Sequence, residues 1–179
     1  HGAVLERGGR AYLMVAPSGV GKSTTAWALL HHGFRYLSDE LAPIDVAAGQ
    51  VHPYPHALCL KGAPPAPYRL PRGRVLTSRT LHVPPWRMPA GTVRHAVPLD
   101  GIFLLRRSGQ KQSTLRRVSI GEAAAQLYAN ALNALAHPGF GLDAAVALAE
   151  CCPAYELSSG ALRDTARVVS EVAAARAAA

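Results

Sequence analysis

The sequence predicts an α/β fold built as a single domain over residues 1–179. A short apolar strand at 11–15 runs into a glycine-containing loop, and a helical pattern follows that places Ala26, Leu29 and Leu30 on one side. Strand and helix patterns then alternate in the second half of the chain, as they do in α/β proteins. With 49% apolar and 17% charged residues, the composition is that of a globular chain with a sizeable core.

The first third of the sequence predicts two hairpins separated by a helix and a strand. Gly8 and Gly9 form the first turn, between strands at 4–5 and 11–15. Gly33 is placed to end a helix over 22–32 in a left-handed conformation. A strand follows at 34–38, and then a hairpin with strands at 42–46 and 51–54.

The middle of the chain is rich in proline, because ten of the fourteen prolines lie between residues 53 and 98. Proline has no amide donor and a fixed φ, so long helices and central strands are not expected there, and 62–71 is predicted to be a loop. The elements expected after this region are a strand at 102–105, helices at 122–135 and 143–150, a strand at 155–157, and a helix capped by Ser158 or Ser159 that continues to Arg176.

Residues 16–24, with the sequence APSGVGKST, match the phosphate-binding pattern G-x-x-x-x-G-K-[ST] except that Ala16 replaces the first glycine. In such loops the backbone amides and the helix N-terminus face the phosphates, the lysine reaches the β- and γ-phosphates, and the hydroxyl after it holds Mg²⁺. Alanine strains this turn only if its position requires a positive φ. The predicted nucleotide-binding residues are Ser18, Gly19, Val20, Gly21, Lys22, Ser23 and Thr24.

An acidic pair, Asp39 and Glu40, ends the next predicted strand. Ligands of open α/β sheets lie at the carboxyl ends of strands, so the pair is expected to face the γ-phosphate and the metal if its strand lies beside the loop strand. One carboxylate could then accept a proton and the other bind Mg²⁺. The alternative is that Asp39 only caps a turn.

Positive charge is concentrated between Lys61 and Arg117, where twelve of the nineteen Lys and Arg residues lie with a single acidic residue, Asp100. This distribution indicates either a surface for phosphates or an acidic partner, or a solvated face without a partner. The residues best placed for charge stabilisation or substrate docking are Lys61, Arg69, Arg72 and Arg74.

Three segments together resemble the HPr kinase/phosphorylase family and its divergent relatives. They are His1-Gly2-Ala3, the loop Ser18-Gly19-Val20-Gly21-Lys22-Ser23, and the stretch from Gly33 to Asp39-Glu40. The resemblance implies a P-loop kinase domain of the HPr kinase C-terminal type, with a mixed central sheet flanked by helices. It also implies that Asp39 is the catalytic base, that Glu40 lies near the metal with Ser23 and Asp39, and that His1 lies near the phosphates.

The chain departs from this family about twenty residues after the acidic pair. Where the family has a Glu-x-Arg-Gly signature, this sequence has Cys59-Leu60-Lys61-Gly62. The signature is associated with the reverse, dephosphorylating reaction, so the departure indicates a one-way kinase that retains Lys61 as a catalytic cation. Some divergent relatives phosphorylate a serine of ribosomally made peptide precursors, including lasso peptides, and the family tends to form homo-oligomers.

The leading hypothesis is therefore an ATP- and Mg²⁺-dependent kinase that acts on a serine of a small protein or peptide. A kinase for free serine or another small alcohol, and an ATP-sensing module without chemistry, remain alternatives. Nucleic-acid binding is not expected, because no basic platform interleaved with aromatic residues is present.

Compartment and membrane association are predicted from the cysteines and the hydropathy. The three cysteines form no C-x-x-C pair, which favours a reducing cytoplasm. No apolar run approaches the roughly eighteen residues needed to span a membrane, and no secretory leader is visible. Because the sequence opens on His1, part of the natural chain could lie upstream.

Overall fold

The computed structural model describes residues 1–178. Its main sheet has the strand order β10-β11-β9-β2-β1-β3, and the short β4-β5 hairpin joins it through β9. The strands of this sheet are β1 Gly2–Arg7, β2 Arg10–Val15, β3 Arg35–Ser38, β4 Ile44–Asp45, β5 Gln50–Val51, β9 Val97–Arg107, β10 Thr114–Arg117 and β11 Ala154–Ser159. A separate small sheet has the order β6-β8-β7, from β6 Leu58–Leu60, β7 Val75–Leu76 and β8 Leu81–Val83.

Parallel and antiparallel pairs occur in the same main sheet. β9 runs parallel to both β2 and β11, while β1 runs antiparallel to both β2 and β3. The helices are α1 Lys22–Leu30, α2 Ile120–Ala129, α3 Leu142–Cys151 and α4 Leu162–Ala177. The predicted α/β class, with a mixed central sheet flanked by helices, is confirmed.

Side-chain alternation along β2 divides the core into two layers. Tyr12 and Met14 face the layer that holds α1 and α4, whereas Leu13 and Val15 face the layer that holds α2 and α3. The residues of both layers are buried, so a packed core lies on each face of the sheet. No helix in the described part of the chain is both long and apolar enough to cross a membrane.

β3 does not lie directly beside the loop strand β2, because β1 lies between them. Since β1 is antiparallel to both neighbours, β2 and β3 still run in the same direction and end at the same edge. Direct adjacency, the condition under which the acidic pair was expected to face the γ-phosphate, is therefore not met. The loop and the acidic pair nevertheless lie at one edge of the sheet.

Several predicted element boundaries are also wrong. The helix expected over 122–135 ends at Ala129, because the Asn130 side chain bonds the Gln126 carbonyl and closes the last turn. It begins at Ile120, two residues earlier than expected, because Ser119 and Glu122 form a capping box. The first helix ends at Leu30 instead of residue 32, and only two residues on each side of the second hairpin form strands.

The last helix is not capped by Ser158 or Ser159. Both serines belong to β11, where they pair with Arg106 and Arg107 of the long strand β9. The helix instead begins at Leu162, and no side chain caps its first turn. The expected strand at 102–105 is in fact the centre of the eleven-residue strand β9.

Asp100, a buried residue of β9, joins three elements of the fold. Arg176 of α4 donates two hydrogen bonds of 2.7 Å to its carboxylate, Arg10 donates one of 3.1 Å, and the Tyr12 hydroxyl donates one of 3.3 Å. Burial alone would raise the pKa of Asp100, but the Arg176 and Arg10 guanidinium groups outweigh it and lower this pKa below the ordinary 3.8.

We expect Asp100→Asn to lower the free energy of unfolding by about 1–3 kcal/mol at pH 7, since bonds to a charged group are lost. A depressed folded pKa stabilises the protein fully above the unfolded value of 3.8 and loses this effect as the pH falls through the folded value. Denaturant unfolding at pH 7 and at pH 3 should therefore show a smaller difference between variant and wild type at the lower pH. Glu171→Gln, which breaks an exposed ion pair with Arg167, is the control and should change stability by less than about 0.5 kcal/mol. Equal stability of Asp100→Asn and wild type at pH 7 would contradict this account of Asp100.

Candidate functional site

The loop between β2 and α1 contains two glycines with positive φ. Gly19 has φ +87° and Gly21 has φ +120°, values that side-chain-bearing residues rarely adopt. Gly21 is the N-cap of α1 and provides no side-chain cap, so the N–H groups of the first helical turn remain available to an anion. The geometry therefore suits a phosphate group above Gly19 and Gly21.

Ala16, the one departure from the loop pattern, is accommodated without strain. Glu40 and Phe140 are the non-glycine residues with positive φ in the described chain, so Ala16 keeps an ordinary conformation. Its side chain is buried in the layer with α1, and its carbonyl oxygen accepts a hydrogen bond from Lys22. Glycine is thus not required at this position.

Lys22, at the start of α1, turns its ammonium group back over the loop. Its Nζ donates hydrogen bonds to the carbonyl oxygens of Ala16, at 2.5 Å, and Pro17, at 3.4 Å. Burial lowers the pKa of Lys22, and the neighbouring Lys61 acts in the same direction, while Asp39 and Glu40 oppose the shift. Both acids and a second lysine therefore act electrostatically on this ammonium group.

Asp39 has a fully buried side chain, and neither of its carboxylate oxygens makes a hydrogen bond of normal geometry within residues 1–178. Burial raises the pKa of Asp39, although the Ser23 hydroxyl and the amides of Glu40 and Cys59 lie close enough to act in the opposite direction. Buried carboxylates are normally paired. An unpaired one beside Ser23 indicates that it is placed for a ligand or for a proton.

A short turn holds the acidic pair at the edge of the sheet. The Leu41 amide bonds the Asp39 carbonyl at 2.8 Å, and Glu40 between them has φ +66°, a strained value for a residue with a side chain. The Gly2 amide donates to the Glu40 carbonyl at 3.1 Å, which brings the start of β1, and with it His1, next to the turn. Glu40 itself is exposed.

Lys61, which follows β6, also reaches the loop. Its Nζ lies 3.8 Å from the position that a Cβ atom on Gly19 would occupy. Two residues earlier in the same segment, the Cys59 amide acts on the Asp39 carboxylate. One short strand therefore brings a cation to the phosphate loop and an amide to the acidic turn.

The arginines predicted to contact phosphate or substrate lie on the segment between β6 and β7. Arg69 follows Tyr68, whose carbonyl accepts from Trp27 at 3.2 Å and whose hydroxyl contacts His32 at 2.9 Å, near the far end of α1. Arg72 and Arg74 lie further along the same exposed segment. The structure thus brings together Lys22, Ser23, Asp39 and Lys61, with His1 and Glu40 beside them, while the contact predicted for the three arginines stays a prediction.

A cavity of about 610 Å³ lies on the α2-α3 side of the sheet, and sequence reasoning missed it. His1, Val15 and Leu41 form its border with the acidic turn and the loop strand. The remaining wall is mainly apolar and comes from the β4-β5 hairpin, α2, α3 and the segment between the two helices. No local pattern could have indicated this cavity, because its walls come from segments distant in the sequence.

The side chains present suit a magnesium ion more than a metal bound wholly by protein. Among residues 1–178 no group of three or more His, Cys, Asp or Glu side chains is arranged to hold a metal. Mg²⁺ usually takes one or two carboxylates and completes its shell with phosphate oxygens and water. Ser23 and the unpaired Asp39 carboxylate, with Glu40 beside them, provide such a partial shell.

Comparisons with known proteins give matches among solved structures alone. No family model matches the chain, and no curated protein matches it. Among solved structures, the Hpr(Ser) kinase/phosphatase from Coxiella burnetii matches over 98% of this chain and 93% of its own, with a TM-score of 0.48 and 12% sequence identity.

Proposed function

We propose that this protein is a cytoplasmic, HPr-kinase-like enzyme that transfers the γ-phosphoryl group of ATP to a serine hydroxyl of a small protein or lasso-type precursor peptide. The observation that carries this proposal is the buried, unpaired Asp39 carboxylate at the edge where Lys22, Ser23 and Lys61 meet. A buried carboxylate beside the position expected for the terminal phosphate can bind Mg²⁺, and it can also take the proton of an acceptor hydroxyl, which transfer requires.

The loop and its two lysines would bind and orient the triphosphate. The N–H groups of the loop and of the first turn of α1 bind phosphate oxygens, and Lys22 exchanges its bonds to the loop carbonyls for bonds to the β- and γ-phosphates. Lys61, over Gly19, neutralises the charge that develops on the transferred group. Positioning and charge neutralisation account for most of the catalysis of phosphoryl transfer.

Asp39 would act as the general base. The acceptor hydroxyl oxygen forms a bond to the γ-phosphorus, the bond from this phosphorus to the oxygen of the departing ADP breaks, and the hydroxyl proton passes to the Asp39 carboxylate. Burial raises the pKa of Asp39, which makes its ionised form a stronger base than an exposed aspartate. Mg²⁺ held by Ser23, Asp39 and Glu40 would neutralise phosphate charge when bound.

A second candidate function is a kinase for a small-molecule alcohol, which the 610 Å³ cavity beside the acidic turn favours. Its volume lies within the range of about 300–1,000 Å³ that small-ligand sites occupy. A small apolar alcohol could enter it from the α2-α3 side, whereas a peptide would approach the exposed Glu40.

Incubation with γ-labelled ATP and Mg²⁺ tests the proposal when two acceptor sets are compared. The first set is a degenerate peptide library with a central serine, paired with the same library carrying alanine, and the second is a panel of small alcohols including free serine. We expect Mg²⁺-dependent label in the serine library alone. Label in a small alcohol would favour the second candidate, and ATP binding without transfer to either set would contradict both and indicate a sensor.

A further inference from the structure

The small sheet ends in a strand whose outer side pairs with nothing in the described chain. β6 is anchored through Leu58 and Leu60 in the core, β8 pairs with it, and β7 is the edge strand. The edge is open to solvent, because Val75 is 55% and Leu76 72% exposed. An exposed edge strand with apolar side chains is a template for another strand.

Hydrogen bonding in the β7-β8 turn shows which backbone groups this edge offers. The Thr77 amide donates to the Thr80 carbonyl at 2.9 Å, so Thr77 and Thr80 form a hydrogen-bonded pair. In an antiparallel ladder such pairs alternate with non-bonded ones, and the next pair is Leu76 with Leu81. The N–H and C=O groups of Leu76 therefore point away from β8, towards the open side.

Arginines surround this edge without acidic partners. No Asp or Glu occurs between residues 46 and 99 of the sequence. Elsewhere in the described chain six arginines form salt bridges, but none of those in this region does. We call Val75, Leu76 and five of the six arginines of this region the cationic edge; the five are Arg69, Arg72, Arg74, Arg79 and Arg87.

Two observations place several of these arginines near one another. The Arg87 guanidinium lies 3.7–3.9 Å from the Cβ position of Gly73, which separates Arg72 from Arg74 in the chain. Arg69 and Arg74 also line a concavity of about 370 Å³. Unpaired like charges repel each other, so this arrangement favours an anionic partner, and the arginine fork suits carboxylates.

We propose that the cationic edge docks an extended acidic segment of the phosphoryl acceptor, which adds a strand beside β7. Backbone bonds to Leu76 would set its register, and carboxylates on alternate residues would meet the arginines. A peptide fits this surface better than a nucleic acid, since a phosphodiester backbone cannot pair with a strand edge and Val75 and Leu76 offer apolar contacts. That this partner is the phosphoryl acceptor rests on the proposed function.

The position of the edge limits where the serine lies. Leu60, Leu81 and Leu76 form one row across the small sheet, and Lys61 at the phosphate loop follows Leu60. A strand added beyond β7 lies about 14 Å from β6, at roughly 4.8 Å for each strand spacing. About four extended residues span that distance. The acidic segment should therefore lie at least about four residues from the phosphorylated serine.

Fluorescence anisotropy with labelled peptides tests the docking without nucleotide. The probe alternates Glu and Val and contains no serine; the comparison peptides carry Gln or Lys in place of Glu, and a labelled oligonucleotide is the competing probe. The test variant is Arg72→Glu with Arg74→Glu. The control, Arg107→Glu with Arg117→Glu, makes the same charge change on other exposed, unpaired arginines.

We expect the wild type to bind the Glu peptide at least about tenfold more tightly than the Gln and Lys peptides and the oligonucleotide. The test variant should lose at least about tenfold in affinity, and the control less than about twofold. Equal losses in both variants, or tighter binding of the oligonucleotide, would overturn the inference. ATP affinity and thermal melting show whether each variant is folded. If the protein transfers phosphate but does not bind the Glu peptide, only this inference is refuted. If it binds the Glu peptide but transfers no phosphate, only the proposed kinase activity is refuted.

Discussion

Replacing Asp39 with asparagine is expected to slow phosphoryl transfer by about 10²–10⁴-fold while making the ligand-free protein more stable. Asparagine has nearly the same shape, so the loop, Lys22 and Lys61 should stay in place and ATP should still bind. It cannot take the proton of the acceptor hydroxyl. The loss should therefore appear mainly in kcat, measured with saturating ATP and Mg²⁺, because Ser23 and Glu40 remain to hold the metal.

The gain in stability follows from the burial of an unpaired carboxylate. Burial raises the folded pKa of Asp39 above the ordinary 3.8, so the folded state holds the proton more tightly than the unfolded chain does. Stability from this group is therefore greatest at low pH and falls as the pH rises through the folded pKa. An asparagine side chain at this position is uncharged and avoids this loss.

Thermal melting in EDTA at pH 7.5 measures this gain. A gain of 1 kcal/mol corresponds to a rise of about 2–4 °C in Tm for a chain of this size. The control is Asp143→Asn, an exposed residue for which a change within about 0.5 kcal/mol is expected. A destabilised Asp39→Asn protein would show that the carboxylate has a structural partner, and an unchanged kcat would exclude it as the base.

Replacing Lys22 with methionine is expected to have the second large effect, a loss of about 10²–10⁴-fold in kcat/KM for ATP. Methionine keeps most of the buried side-chain volume and removes the ammonium group that bonds the Ala16 and Pro17 carbonyls. Because burial already lowers the pKa of Lys22, replacing its charge should not unfold the protein. Stopped-flow measurements of ATP binding and steady-state measurements of transfer separate the loss in affinity from the loss in rate.

Lys111→Met, at an exposed position, is the control and should behave as wild type. Retention of normal ATP affinity and rate by Lys22→Met would show that the nucleotide lies elsewhere.

Local patterns predicted the elements that position the site. The apolar strand, the glycine loop, the helix and the strand before Asp39 are adjacent in the sequence, and their signals do not depend on distant contacts. The insertion of β1 between β2 and β3 was not predictable in the same way, since strand pairing is a tertiary choice. The shared edge was still predicted, because the carboxyl-end rule needs only the strand directions.

The long strand β9 shows why other boundaries failed. Pro98, Asp100 and Gly101 resemble strand breakers in the sequence. In the structure Asp100 is paired by Arg176, and a Cβ on Gly101 would lie 3.1 Å from the Tyr12 ring, so the absence of a side chain there allows the ring to pack. The residues that make Asp100 and Gly101 acceptable within a strand lie about 75–90 positions away in the sequence, so no local pattern indicates them.

The candidate site was predicted in part. Lys22, Ser23 and Asp39 followed from their motifs, and Lys61 was named through a family resemblance and is found over Gly19. The arginines were grouped by charge, and the phosphate or substrate contact predicted for them stays a prediction. The apolar cavity and the open edge of β7 depend on which segments meet in three dimensions, so composition could not indicate them.

A crystal structure of the complex with Mg²⁺ and a non-hydrolysable ATP analogue tests the central claim most directly. That claim is that the carboxyl ends of β2 and β3 form one nucleotide and metal site. We predict the β- and γ-phosphates in the loop between Lys22 and Lys61, the metal on Ser23, and the γ-phosphate facing the Asp39 carboxylate. A nucleotide bound away from this loop, or a γ-phosphate directed away from Asp39, would contradict the account.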